Sequence, residues 1–456
     1  NLTAAENIYS SDFSTIWNTT KNDPGHPTLY PLLLALVWAI AGKSLVVTHA
    51  VQVFTGLALV LVTDRLARHY FNDWSAKLAS LVLCISPLYV AQLTGASLQL
   101  PLTLLAITGF YFLLKEKSGP ACLAQCAMML THLQGAYLLL FIFATDAVYT
   151  YLNKGFRYFP AWIKARWWVY GLPFAAFVIW GWTHYNHAGW AFSTPNYLRE
   201  APGLKGMLYN FAIAFWRIAD FGYIFPLAVV VFHFIRKGKL YFGSRETQAL
   251  VAYLLILAIV GGGICISFAH PPIHRYFLGA SVLLLLLFAG ILQQKKKMTR
   301  VLIVAFTCLL LAAGNFMYYP GKCIGDGNIA YLPIYRLEKK IQKDFPAGIG
   351  FYTYAPLSYP SDVRYLDSSK GLRLKELYNV RLDSVTYVFQ SNMNCEFSAE
   401  ELKALAGWYG TSYEMEGIYV NVYANPAKVL QKPEGWQLRQ PSAIERLILK
   451  LKGNTR

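Results

Sequence analysis

The chain of 456 residues is poor in charge and poorer still in acid. Only 14% of it is Asp, Glu, Lys or Arg, where a soluble domain carries about 25%. With 55% hydrophobic residues and a mean hydropathy of +0.35, an ordinary soluble enzyme and a disordered chain are both excluded. Asp and Glu number 24 against 41 Lys and Arg, a net charge of +17. Such a surplus invites a nucleic-acid reading, which the placement of the basic residues overrules. Cysteine is sparse, at seven residues. Cys84, Cys122, Cys126, Cys265 and Cys308 lie in apolar segments, where a thiol acts as a small hydrophobe. Cys122 and Cys126 share a helix face but have no third thiol or His beside them, which argues against zinc. No secretory signal pattern, internal repeat or low-complexity tract is present.

What the chain does have, up to residue 318, is a series of long apolar runs. We read spanning helices at 46–63, 78–94, 99–115, 119–131, 135–151, 168–184, 208–235, 248–268, 277–292 and 300–318, by the requirement of roughly 20 apolar residues per crossing. The 208–235 run is too long for one straight span, so its first half, with Arg217 and Asp220, is expected at the interface. The apolar stretch 28–42 is too short to cross and reads as an interfacial or re-entrant helix.

The basic residues then orient the bundle. One set of alternate loops holds seventeen Lys and Arg, from Arg65 and Arg68 to Lys295, Lys296, Lys297 and Arg300. The opposite set holds six: Lys21, Lys43, Arg199, Lys205, Arg217 and Arg275. By the positive-inside rule the first set is cytoplasmic, and residues 1–27, 185–205, 269–275 and everything after 318 face the other side. An earlier span is expected ahead of Asn1 to bring the chain out.

Beyond 318 the composition is that of a small α/β domain, 319–440, followed by a basic tail, 441–456. A helix is expected at 331–343 and strands at Gly348–Tyr354, Asp362–Leu366 and Ser384–Gln390. Ser398 and Glu401 form a capping-box pattern for a helix through Trp408, and a Tyr-rich hairpin is expected at Ser412–Tyr423. Ser442–Lys452 has apolar residues at helical spacing beside Arg446, Lys450 and Lys452, the pattern of an interfacial amphipathic helix. Cys323 and Cys395 are the two Cys of this exported part, so a disulfide between them is expected.

Candidate chemistry gathers in two stretches. Only ten acids precede residue 319, and three of them, Glu6, Asp12 and Asp23, crowd into the first 27 residues ahead of Asp23-Pro24-Gly25-His26-Pro27. A surface carboxylate before a rigid turn suits a general base on an acceptor hydroxyl; by itself the loop reads equally as a solvated Pro-Gly turn. The second stretch is His270-Pro271-Pro272-Ile273-His274-Arg275-Tyr276. Arg275 offers the planar fork that binds phosphate oxygens, in a loop without an acid. A helix-end Arg that snorkels is the ordinary alternative. Arg217 and Asp220, three apart, read first as a local ion pair. His132 and Gln134, at a helix end, either line a cavity or satisfy backbone. The many Trp and Tyr suit interfacial belts.

The run Asp-Pro-Gly-His-Pro-Thr-Leu-Tyr ahead of an apolar helix resembles the first outer loop of GT-C glycosyltransferases. These include the protein O-mannosyltransferases and the lipid A aminoarabinose transferases. Within that class the chain is most similar to bacterial dolichyl-phosphate-mannose-protein-mannosyltransferase-like proteins. The resemblance covers most of residues 1–318 as architecture and two short stretches as motif. It implies a multi-span enzyme of a bacterial inner membrane, with its active site and C-terminal domain on the periplasmic side. Such an enzyme moves a sugar from a polyprenyl-phosphate donor to an acceptor lipid, glycan or protein. Membrane lipids are partners and nucleic acid is not.

The resemblance places the catalytic acid in an Asp-Glu pair, matched here by Ala5-Glu6. The Asp is replaced, so Glu6, Asp12 and Asp23 all stand as candidate bases, with His26 beside them. An acid expected near Ser97–Pro101 is also missing. The resemblance puts Arg275 and Tyr276 at the donor phosphate, with His274 and Arg217 as further candidates. No metal ligand set is apparent, although some GT-C enzymes use a divalent metal. Two other classes compete: a transporter or flippase of a lipid-linked or polar solute, which would carry charges at mid-membrane or repeated halves, and a non-catalytic, transferase-like subunit of an envelope complex.

Overall fold

The computed structural model describes residues 2–17, 25–191, 203–238, 240–241, 244–268, 271–318, 326–346, 348–354, 372–377, 380–393, 397–443 and 446. The chain divides into two compact units, Asn1–Asn315 and Phe316–Arg456. Asp23, His270, Cys323, Cys395, the expected strand Asp362–Leu366 and nearly all of the expected helix Ser442–Lys452 lie outside the described residues.

The first unit is helical: α1 (Leu2–Ser10), α2 (Leu29–Ala41), α3 (Leu45–Tyr70), α4 (Asp73–Ile85), α5 (Pro87–Thr94), α6 (Gln99–Leu114), α7 (Ser118–Met129), α8 (Gly135–Lys154), α9 (Phe159–Ala188), α10 (Leu204–Ala219), α11 (Ile224–Lys237), α12 (Arg245–Ile256), α13 (Gly262–Ser267), α14 (Leu278–Leu292) and α15 (Lys297–Gly314). Every apolar run expected to span is helical. Among the described residues, five helical segments are long and apolar enough to cross a membrane, or seven if each of two bent pairs counts as one span. This is fewer than the ten expected, because α6 and α7 have only 16 and 12 residues. α9 has the length, at 30 residues, but Trp, Tyr and His dilute it.

The starts and breaks have local causes. Ser44 and Asn72 cap α3 and α4, their side-chain oxygens accepting the Val47 and Ser75 N–H, which quenches otherwise orphaned donors. Pro87 cannot continue α4, so α4 and α5 meet at 56°. α10 and α11 meet at 96°, so the 208–235 run is indeed not one straight span. The corner holds Phe221 at φ +51 and Gly222 at φ +91. A Cβ on Gly222 would lie 2.5 Å from the Leu310 carbonyl oxygen, so the corner is wedged against α15. Between α12 and α13, Leu257–Gly261 forms a π turn, and His274–Phe277 forms a 3-10 turn that leads into α14. All 15 residues of α14 are buried. This helix is the axis of the core, packed by α4, α11, α12 and α6.

The second unit pairs α16 (Tyr331–Asp344) and α17 (Ala399–Leu405) with five strands: β1 (Gly350–Thr353), β2 (Arg373–Glu376), β3 (Tyr387–Ser391), β4 (Tyr409–Met415) and β5 (Ile418–Ala424). Their order is β2-β1-β3-β5-β4. β1 is parallel to β2 and β3, while β5 is antiparallel to β3 and β4. Ile334, Leu337 and Ile341 of α16 share a core with Phe351, Phe389 and Val420. The Ser398–Glu401 capping box forms in both directions, although α17 ends before Trp408. The β4–β5 hairpin turns through Glu416 and Gly417, both at positive φ, as a tight two-residue loop requires. β2 was not foreseen: Arg-Leu-Lys-Glu has no strand pattern and is recruited by parallel pairing.

Candidate active site

Two groups of polar side chains meet where α6, α8 and α14 begin. They diverge from adjacent residues, His274 and Arg275.

The first group is a knot of Asp220, His274 and Arg217. Asp220 ends α10, and its Oδ1 accepts the Phe221 N–H at 2.8 Å. Its Oδ2 lies 2.7 Å from His274 Nε2 and 3.9 Å from Arg217 Nη1. Arg217 Nη1 is also 3.4 Å from His274 Nε2. One nitrogen cannot donate to the carboxylate and accept from a guanidinium at once. The 2.7 Å contact decides, so Nε2 carries the proton and donates to Asp220. Both side chains are almost wholly buried, at 1% and 5% exposure. The local Arg217–Asp220 pair of the sequence reading therefore exists, but His274 is the shorter partner. Of the candidate phosphate ligands, His274 and Arg217 lie here.

The second group is Arg275, Tyr276, His26 and His132. The Arg275 guanidinium lies 5.6 Å from the centroid of the Tyr276 ring. The rings of His26 and His132 are packed at 3.9 Å between centroids, tilted by 32°. His132 sits in the loop between α7 and α8 and is buried. Its Nδ1 accepts the Gln134 N–H at 2.9 Å, which leaves the ring proton on Nε2. Burial, His26 and Arg275 together hold its pKa well below the usual histidine value, so its imidazole is neutral. Gln99 Nε2 donates to Gln134 Oε1 at 2.7 Å. Gln99, Gln134, Thr103 and Tyr276 then line one cleft, beside the π turn and Gly279. His132 thus satisfies backbone and Gln134 borders a cavity, one of the two roles falling to each.

The candidate bases are distributed differently. Glu6 pairs with Lys43 at 2.5 Å, and Tyr9 packs edge-on to Trp38, so α1 runs back along α2. His26 precedes α2 and Lys43 follows it, which separates Glu6 from His26 by about 20 Å of helix at 1.5 Å per residue. Asp12 is exposed, at φ +49 in the turn after α1. Of the four candidates in this loop, the structure brings His26 alone to Arg275 among the described residues. Sequence reasoning missed Lys43 as the partner of Glu6 and Gln99 as the partner of Gln134. The available signal for Gln99 was an amide at the first turn of an apolar helix. Among the described residues no group of three or more His, Cys, Asp or Glu is arranged to hold a metal.

No family model matches the chain, and no curated protein does. Two solved structures share its architecture. They are crystal structures of ArnT from Cupriavidus metallidurans. In the apo state it is 12% identical with a TM-score of 0.56, over 95% of this chain and 94% of that one. Bound to undecaprenyl phosphate it is 12% identical with a TM-score of 0.55, over 96% and 94%. The fold of this chain is therefore ArnT-like, as its resemblance to GT-C enzymes implied.

Proposed function

We propose that the protein is a GT-C-type glycosyltransferase that moves a sugar from a polyprenyl-phosphate donor to an acceptor at the non-cytoplasmic face of a membrane. The observation that carries this reading is the group of Arg275, Tyr276, His26 and His132, set where apolar helices begin, in the fold of a protein crystallised with undecaprenyl phosphate. Arg275 clamps the donor phosphate through its fork, with Tyr276 at its flank. The neutral His132 adds an Nε2–H donor in the same place. Arg217 is the second cation of the site, held by Asp220 and His274. On the charge bias of the loops, all ten apolar stretches cross the membrane and these groups lie outside, in a bacterial inner membrane on the periplasmic side.

The acceptor hydroxyl needs a base, and the carboxylates of residues 1–27 supply it: Glu6, Asp12 or Asp23. Sugar transfer measured in Glu6→Gln, Asp12→Asn and Asp23→Asn tests this. The serving residue loses about 10²–10⁴-fold in turnover, the usual contribution of a positioned base. Normal turnover in all three transfers the role to His26, tested by His26→Gln. Donor binding without transfer to any lipid, glycan or protein acceptor would instead identify a non-catalytic subunit.

A further inference from the structure

The start of α2 is tied into a closed circuit of polar contacts. Tyr30, in its first turn, is 2% exposed, and Gln52 of α3 is fully buried. Gln52 Nε2 donates to the Tyr30 hydroxyl at 2.6 Å and to the Ser97 carbonyl at 3.2 Å. An amide turned the other way would set its carbonyl against that of Ser97, so the surroundings fix its orientation. Ser97 lies between α5 and α6, and its hydroxyl accepts the Gln99 N–H at 3.1 Å. The Gln99 side chain donates to Gln134, whose backbone N–H is held by His132. The circuit closes where His132 packs on His26, four residues before Tyr30.

α2 has a second attachment to α3. Trp38 Nε1 donates to Thr48 Oγ1 at 2.9 Å, near the turn that carries Lys43, the partner of Glu6. The two attachments are of one kind, a buried side-chain hydrogen bond between the same two helices, and they hold opposite ends. The Thr48 bond fixes the end near Glu6. The Gln52 bond fixes the end near His26, where the Leu29 N–H also reaches the Leu130 carbonyl at 3.1 Å, just past α7. His26 stands ahead of the helix, so no helical ladder places its ring. It takes its position from the turn that Tyr30 anchors.

We infer that Gln52 is a positioning residue of the donor site: through Tyr30 and Ser97 it holds the His26 ring over His132, beside Arg275. The inference rests on the donor reading above and adds a residue that is itself sealed from any ligand. The buried His132 feels the charges of His26 and Arg275 together, so a displaced His26 changes the surroundings in which the donor is met. A misplacement of about 1 Å in a binding group can cost on the order of a hundredfold. A merely structural Gln52 would affect stability alone, whereas a positioning one alters binding at matched stability.

The test uses the full-length protein in lipid nanodiscs, with polyprenyl phosphate as the probe, and the variants Gln52→Met, Tyr30→Phe and Thr48→Val. Met keeps the length of Gln without its amide, Phe keeps the ring without its hydroxyl, and Val keeps the shape of Thr. Each removes a buried hydrogen bond with little loss of packing. Two quantities are read: the affinity for the probe, and the rate at which diethylpyrocarbonate modifies His132, followed by mass spectrometry. Gln52→Met and Tyr30→Phe are expected to weaken binding about ten- to a hundredfold and to speed the modification of His132. Thr48→Val, with a similar loss of thermal stability, leaves both quantities at their native values. Native affinity and native protection in both Gln52→Met and Tyr30→Phe overturn the inference. The same changes in Thr48→Val also overturn it, because stability alone would then account for them. So does faster modification at native affinity, which would mean that the histidine pair is held for something other than the donor. Absence of binding by the native protein removes the donor reading, and the modification rates still decide whether Gln52 places the His26 ring.

Discussion

His274 and Arg275 are neighbours in one 3-10 turn, yet they belong to opposite kinds of environment. Successive residues in such a turn project about 120° apart, so one side chain points into the α10 corner and the next away from it. His274 finds a buried carboxylate at 2.7 Å and takes its place in a neutralised knot. Arg275 lies over the Tyr276 ring, within electrostatic reach of the buried, neutral His132 that packs on His26. The difference teaches how a short loop divides its work. The residue bonded to a buried carboxylate anchors the loop, and on the proposed function the residue beside it meets the donor.

This contrast breaks most sharply at Arg275. Arg275→Ala is expected to weaken polyprenyl-phosphate binding by about a hundredfold or more, the scale of losing a charge-assisted partner. Arg275→Lys, which keeps charge but not the fork, falls between. Arg217→Ala costs less than either, and binding measurements in detergent settle the ranking. Normal affinity in Arg275→Ala would move the anion site to Arg217 and the knot.

Asp220→Ala strikes the other side. It leaves His274 and Arg217 buried without their carboxylate, a change that costs roughly 3–5 kcal/mol when an internal pair is broken. Denaturation should show this loss, and the surviving folded protein should still bind donor. A variant of native stability would mean that the knot anchors nothing.

Acid distinguishes the two histidine environments more gently. His132 is neutral in the folded protein because burial, His26 and Arg275 all disfavour its imidazolium. The unfolded chain takes up that proton near 6.5, so it binds more protons than the native state. Stability therefore falls as pH drops below 6.5, by at most about 1.4 kcal/mol per pH unit for one group. His132→Gln should flatten this slope in unfolding curves recorded from pH 7 to 5; an unchanged slope assigns it to other groups.

The smallest effect is expected at Glu6–Lys43, an ion pair about a third exposed on both sides. Lys43→Gln should cost no more than about 1 kcal/mol of stability. A larger loss, or a loss of transfer with stability intact, would make Lys43 part of the working site.

The parts of this molecule that were legible in its sequence are those with local causes. Apolar runs become helices wherever they occur, and the Ser398–Glu401 box and the Tyr-rich hairpin at Ser412–Tyr423 are read from neighbouring residues. The α10–α11 corner was legible as an excess of length, though not as a wedge against α15. Long-range partnerships were not legible. His274 lies 54 residues from Asp220, Gln99 lies 35 from Gln134, and His26 lies more than a hundred from His132. No periodicity couples such positions. The family resemblance pointed to Arg275 and His26 separately, and the fold supplies their proximity. It also sets Glu6 at the far end of α2, which a reading of loop 1–27 as one short segment could not anticipate.

The π turn at Leu257–Gly261 sets the rotation of the helix that follows it. The Gly262 N–H reaches back five residues to the Leu257 carbonyl, so this stretch holds one residue more than an α-helix of the same rise. Such a turn accommodates the extra residue without breaking the helix. Removing one residue there would let the ladder close as ordinary α-helix, but every side chain from Gly262 to Ser267 would rotate by about 100° relative to Ile256. Cys265, now packed with Ala214 and Phe277, would be turned away from them. A single-residue deletion that is harmless to the backbone should thus undock α10, which makes the length of this segment, more than its composition, the quantity under constraint.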